Sequence, residues 1–229
     1  MSYVFSPPTP ASVSVIGLVQ RFPVHRIYCV GRNYAEHAKE MGFTGREPPF
    51  FFMKPADAVL AVNDGEMGTL PYPSLSTNLH HEIELVVAIG KGGKNIAAAD
   101  ALQHVYGYAI GLDMTRRDLQ NEMKKQGRPW CIAKGFDDSA PIGTITPAAQ
   151  AGDVAQAAIW LKVNGAIKQN ANLNQMIWSV AEQIAKLSEA FELFPGDIIY
   201  SGTPENVGPV VRGDVIEMHI DGLPNLSVK

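Results

Sequence analysis

No regular spacing in this chain runs far before a breaker interrupts it: 16 prolines and 21 glycines are scattered through 229 residues. Between them recur short runs rich in β-branched and aromatic residues, at 12–18, 26–30, 50–53, 82–89, 106–112, 159–163, 197–200 and 214–220. Runs of this length, bounded by such residues, predict short strands. Helical spacing appears in three stretches, 33–41, 115–126 and 176–191, the last with Ile177, Val180, Ala181, Ile184 and Leu187 along one side. Asn33 with Glu36, and Thr115 with Asp118, have the form of helix caps. Asn164-Gly165 predicts a two-residue hairpin. The expected class is α+β, dominated by β-structure, with one shared core, since no repeat or long linker divides the chain.

Charge narrows the partners. Nineteen Lys and Arg stand against 23 Asp and Glu, and a net charge of -4 gives no general attraction for nucleic acid or acidic membranes. The two cysteines, Cys29 and Cys131, lie inside apolar runs, which predicts buried free thiols and a reducing, cytoplasmic location. The N-terminus lacks a signal-peptide pattern, and no apolar run approaches the roughly 20 residues that span a bilayer.

The informative residues are acids in apolar company. In the run 81–89, Glu82 and Glu84 alternate with Ile83 and Leu85, so on a strand both carboxylates leave the same face. Two like charges beside an apolar run cost several kcal/mol, on the order of 2–7 per uncompensated polar group, unless a cation offsets them. Asp113 ends another apolar run and would add a third carboxylate. Three carboxylates form a hard oxygen site suited to Mg²⁺, Mn²⁺ or Ca²⁺ more than to zinc. Alternation alone fits a solvent-facing strand equally well.

Other candidates are pairs and single cations. His37 and Glu40 are three apart on a predicted helix, a spacing that suits a base and its orienter, although solvated pairs look the same. Arg117 and Gln120 share a helix face behind Asp113, where they would meet a substrate carboxylate unless that face is merely exposed. Lys54 and Lys134 follow apolar runs, either to meet an anion or to snorkel. Gly202-Thr203-Pro204 is a turn that offers a hydroxyl and N–H groups to an anion, or a plain turn.

In order, Val30-Gly31-Arg32-Asn33-Tyr34 with His37 and Glu40, Phe52-Met53-Lys54-Pro55, His81-Glu82-Ile83-Glu84-Leu85, Gly111-Leu112-Asp113-Met114-Thr115, Lys134-Gly135-Phe136 and Gly202-Thr203-Pro204 resemble the fumarylacetoacetate hydrolase family from about residue 26 to the C-terminus. The resemblance implies the β-rich mixed sandwich or roll of that family's C-terminal domain. Residues 26–229 would form a single catalytic domain behind an extended N-terminal segment, 1–25. It also implies that Glu82, Glu84 and Asp113 hold Mg²⁺ or Mn²⁺, that His37 and Glu40 form a water-activating dyad on a lid, and that Lys134 assists catalysis. Arg117, Gln120, Lys54 and Thr203 would contact a small anionic diketo acid.

Within the family the compact length, the Pro-rich N-terminus and the stretch 128–134 look most like bacterial fumarylpyruvate hydrolases of gentisate breakdown. The expected reaction is hydrolysis of a carbon–carbon bond in an acylpyruvate, giving fumarate and pyruvate, by a homodimer. Oxaloacetate decarboxylation or oxo-acid isomerisation through the same metal–enolate chemistry is the alternative, and a non-catalytic metal-binding module the third. Ser201 and Asn206 depart from the family's usual Thr and Gly; Asn tolerates positive φ, so the turn is expected to persist.

Overall fold

The computed structural model describes residues 2–35 and 46–229. Among these residues an eight-stranded mixed sheet runs in the order Phe50–Lys54, Ile27–Gly31, Ile198–Tyr200, Ile83–Ile89, Val105–Leu112, Ala140–Ile142, Val59–Ala61, with Thr146–Pro147 also paired to Val105–Leu112. A five-stranded sheet carries Ala166–Asn172, Ala158–Val163, Ile216–Ile220, Leu226–Val228 and Met67–Gly68. A third sheet joins Thr115–Arg116, Leu79–His81 and Gly208–Val210. The β-rich α+β architecture is the one expected. No helix among the described residues is long and apolar enough to cross a membrane.

The strand Ile83–Ile89 explains how the layers meet. All seven of its residues are buried, as a central strand covered on both faces requires. Ile83, Leu85, Val87 and Ile89 face the main core, where Ile159, Leu161, Met218 and Ile220 of the five-stranded sheet meet them. Val86 and Ala88 face the other way, into a smaller cluster with Cys29, Ala109, Ile198 and Tyr200. The N-terminal hairpin of Ser12–Val13 and Phe22–Pro23 closes that cluster with Val13, Val15, Phe22 and Val24. By alternation Glu82 and Glu84 belong to this second face, at the end that the hairpin does not cover.

Several boundaries differ from the sequence expectation. Glu82 lies between Leu79–His81 and Ile83–Ile89, where the chain passes from the three-stranded sheet into the large one. The second helix starts at Arg117, not Thr115, because the Thr115 hydroxyl donates back to the Asp113 carbonyl at 3.1 Å. The long helix spans Val180–Ala190, later than expected, since Ser179 and Glu182 close a reciprocal capping box there. Among the described residues Asn33 bonds across the fold: its amide donates to the carbonyls of Trp178 (2.9 Å) and Ser201 (2.8 Å) and accepts from the Trp178 N–H (2.8 Å). Its predicted capping partner Glu36, like the rest of the stretch 36–41 expected to be helical, lies outside the described residues. Cys29 is buried as expected but Cys131 is exposed, because its short helix sits on the surface. Asn164 and Gly165, at φ 50° and 79°, form the expected hairpin, and Asn206 takes φ 65°.

Asp197 ties the N-terminal segment to the sheet. Its fully buried carboxylate accepts from His25 Nδ1 at 2.8 Å, Arg26 Nε at 3.0 Å, Arg26 Nη2 at 2.8 Å and the Phe194 N–H at 2.8 Å. Asp197→Ala strands those donors. Chemical denaturation should show a loss of about 2–4 kcal/mol, the lower end allowing for the quarter-exposed Arg26.

Candidate metal centre and active site

The register of one strand pair builds the acidic cluster. Ile83 pairs with Leu112 and Glu84 with Gly111, so Asp113 falls opposite Glu82, and its N–H donates to the Glu82 carbonyl at 2.9 Å. Opposed residues of an antiparallel pair share a face. All three acids are at least 95% buried, and one oxygen from each lies within 4.8 Å of the others.

Three cations surround them. Lys134 Nζ donates to Glu82 Oε2 at 2.8 Å and Asp113 Oδ2 at 2.5 Å. Arg117 Nη2 donates to Glu82 Oε1, and its Nη1 to Gln120 Oε1. Lys54 Nζ lies 2.8 Å from Asp113 Oδ1, at an angle that makes it a charge contact more than a hydrogen bond. Its protons go to the carbonyls of Met114, at 3.2 Å, and Lys134. Lys54 is thus a buried counter-ion beneath the site, with two of its three protons given to carbonyls, and it is not among the residues that line the cavity.

The remaining groups are fixed by hydrogen-bond direction. Gln169 is fully buried: its Oε1 accepts the Ile83 N–H (3.2 Å), so its Nε2 donates to the Pro204 carbonyl (2.9 Å) and to Thr203 Oγ1 (2.9 Å). Thr203 is therefore an acceptor from Gln169, which leaves its own proton to be donated to another group, and it lines the cavity with the acids. Gln120 Oε1 is likewise taken by Arg117, which leaves Nε2 to donate into the same cavity. Gly202 donates its N–H to Glu84 Oε2 at 2.7 Å from φ 101°, and a Cβ there would stand 2.6 Å from Asn33 Cβ, so only glycine fits.

The electrostatics favour a cation. Burial pushes the Glu84 carboxyl well above the ordinary carboxylate range, and the charges of Asp113 and Glu82 push it further. For Lys134 burial opposes the charge, but Asp113 and Glu82 outweigh it and hold the ammonium above its ordinary pKa. His80, which accepts from Arg117 Nε at 3.4 Å, is driven down to about 4 by burial and then by the Arg117 charge, and so stays neutral. A divalent ion among the triad would keep Glu84 ionised at neutral pH, and the all-oxygen donor set suits Mg²⁺ or Mn²⁺. These residues fit such an ion.

Residues 26–229 match the fumarylacetoacetate (FAA) hydrolase C-terminal family. The chain belongs to the fumarylacetoacetate hydrolase family. It is 56% identical to a fumarylpyruvate hydrolase from Pseudomonas aeruginosa whose crystal structure holds Mn²⁺ and pyruvate, with a TM-score of 0.97 over 100% of this chain and 98% of that one. A putative fumarylpyruvate hydrolase from Burkholderia cenocepacia is 50% identical, with a TM-score of 0.91 over 100% of this chain and 97% of that one. The mitochondrial oxaloacetate tautomerase of Mus musculus is 43% identical over 203 residues, 89% of this chain and 90% of its own.

Of the residues singled out from sequence, the fold gathers Glu82, Glu84, Asp113, Lys134, Arg117, Gln120 and Thr203 around one cavity in this family member. His37 and Glu40 lie outside the described residues. Sequence reasoning missed Gln169, which no motif marks, and Arg32, Phe50, Phe52 and Trp130, which line the approach. Arg32, Phe52 and Trp130 carried a signal, lying within the motifs 30–34 and 52–55 and the stretch 128–134 already singled out.

Glu84→Gln should weaken Mn²⁺ binding at least ~10-fold in calorimetric titration, since it removes the one carboxylate whose charge needs the ion most. Gln169→Leu should leave Mn²⁺ binding near wild type while raising KM, because it frees Thr203 to turn its proton elsewhere.

Proposed function

We propose that the chain hydrolyses acylpyruvates, fumarylpyruvate to fumarate and pyruvate foremost, with Mg²⁺ or Mn²⁺ held by Glu82, Glu84 and Asp113. One observation carries this reading. The buried triad, ringed by Lys134, Arg117 and Gln120 at the foot of an aromatic cavity, occurs in a chain 56% identical to a fumarylpyruvate hydrolase solved with Mn²⁺ and pyruvate.

The bound ion would supply Lewis-acid stabilisation of the enolate charge that develops on the pyruvate half. Arg117 and the Thr203 hydroxyl, which line the same cavity, bind the substrate carboxylate. His37, steadied by Glu40, takes a proton from the water that attacks the distal carbonyl. Gln120 Nε2 is the oxyanion donor that hydrogen-bond direction favours, with Lys134 beside it, two of its three protons already committed to carboxylates. Collapse of the tetrahedral adduct breaks the carbon–carbon bond, and the pyruvate enolate recovers the proton from His37. Phe50, Phe52 and Trp130 keep bulk water from competing.

The charges support an anionic substrate. Three carboxylates balance Lys54, Lys134 and Arg117, so a divalent ion leaves a surplus that a carboxylate and a developing enolate offset. A second reading, oxo-acid isomerisation, has the 43% identity to an oxaloacetate tautomerase in its favour. That chemistry needs the stabilised enolate but no activated water. We further take residues 26–229 as the catalytic domain behind the segment 1–25, acting as a cytoplasmic homodimer in gentisate breakdown, on the strength of the family resemblance.

Purified protein should release pyruvate from fumarylpyruvate with Mg²⁺ or Mn²⁺, lose this in EDTA, and drop at least ~100-fold in His37→Ala. Cleavage that ignores either change removes the proposed mechanism. Oxaloacetate tautomerisation without acylpyruvate cleavage moves the assignment to the second reading.

A further inference from the structure

Outward from the triad the site opens into a cavity of about 540 Å³, larger than the metal centre and chemically unlike it. Phe50, Phe52, Trp130 and Lys134 line both spaces, so the two are continuous. Trp130 meets Phe50 and Phe52 edge-on, with centroids 5.6 and 5.9 Å apart, so the three rings stand at steep angles to one another in one continuous aromatic wall. Arg32 lies against that wall, its guanidinium 5.0 Å from the Phe50 centroid, where Gly31 lets the ring lie close against the backbone. Arg128 lines the outer end with Met53 and Pro129.

Cations gather at this mouth although the chain as a whole is acidic. Lys124, one turn beyond Gln120, has its pKa lowered by burial and then by the charges of Arg32 and Arg117. Arg117 is already bound to Glu82, and the Glu47 charge acts on Arg32. Among the described residues Arg128 has no acidic partner. A fork of donors at the end of an apolar slot is the arrangement that binds a carboxylate on a flat, unsaturated chain.

We infer that this outer cavity is a second anion subsite, in which Arg128 and Arg32 bind a carboxylate at the far end of the acyl group while the aromatic wall of Phe50, Phe52 and Trp130 packs against its apolar chain. The site then selects acylpyruvates whose acyl group ends in a carboxylate over those with a neutral end. The substrate named here rests on the hydrolase reading; the anion subsite does not.

The test compares wild type, Arg128→Gln and Arg128→Lys on fumarylpyruvate and acetylpyruvate, with calorimetric titration of fumarate as a second readout. In Arg128→Gln the ratio of kcat/KM for fumarylpyruvate over acetylpyruvate should fall 10- to 100-fold, mainly through KM, with partial recovery in Arg128→Lys. A ratio within twofold of wild type overturns the inference. If wild type cleaves neither compound, the hydrolase reading is what fails. Fumarate binding then decides the subsite alone: weakening of tenfold or more in Arg128→Gln upholds it, and equal binding overturns it.

Discussion

Three carboxylates buried within 4.8 Å of one another set the terms for everything around them. Such a cluster is tolerable only where cations are brought to it, and three separate parts of the chain do this. Lys54 comes from the end of an edge-side strand, Arg117 from the first turn of a helix, and Lys134 from a four-residue helix. Each is itself buried, so removing any one leaves uncompensated charge in a low-dielectric region. The same neutralisation makes the site responsive. Glu84 retains a raised pKa that a divalent ion relieves, so binding energy for the ion is built into the folded chain.

The fold around the cluster separates support from chemistry. One face of Ile83–Ile89 belongs to the main core, and along the other the acids give way to Val86 and Ala88 and the N-terminal hairpin. Glu84 therefore sits on a strand held on both sides, with Glu82 and Asp113 just off the paired ends of that strand and its neighbour, which keeps their spacing fixed. From the second sheet Gln169 reaches across, holding Ile83, Thr203 and Pro204 through one amide. That single buried side chain couples the two sheets and also makes Thr203 an acceptor. Gly202 closes the arrangement by presenting its N–H to Glu84 from a conformation that other residues rarely adopt.

Much of this was legible in the residues. Period-2 alternation placed Glu82 and Glu84 on one face, and the apolar run ending at Asp113 placed the third acid beside them. Local patterns served less well at boundaries, where long-range partners override them. Thr115 and Asn33 have the form of caps, yet their side chains bond elsewhere, while the true cap at Ser179 was hidden inside a longer helical pattern. Cys131 reads as buried from its neighbours but lies on a surface helix, because burial depends on what packs over a segment and not on its hydropathy.

By itself the sequence determined the class of fold and offered the three carboxylates and the cations near them as candidates, since periodicity and residue chemistry give faces and ligand types, and the ordered resemblance to the family chose among the alternatives. Only the tertiary structure decided what each cation does. Lys54 and Lys134 look alike in sequence, each a lysine after an apolar run, but one is a counter-ion beneath the cluster and the other faces the cavity. The roles of Gln169 and of the aromatic wall were equally out of reach. They arise from contacts between segments scores of residues apart, which pairing register and packing fix and local pattern does not.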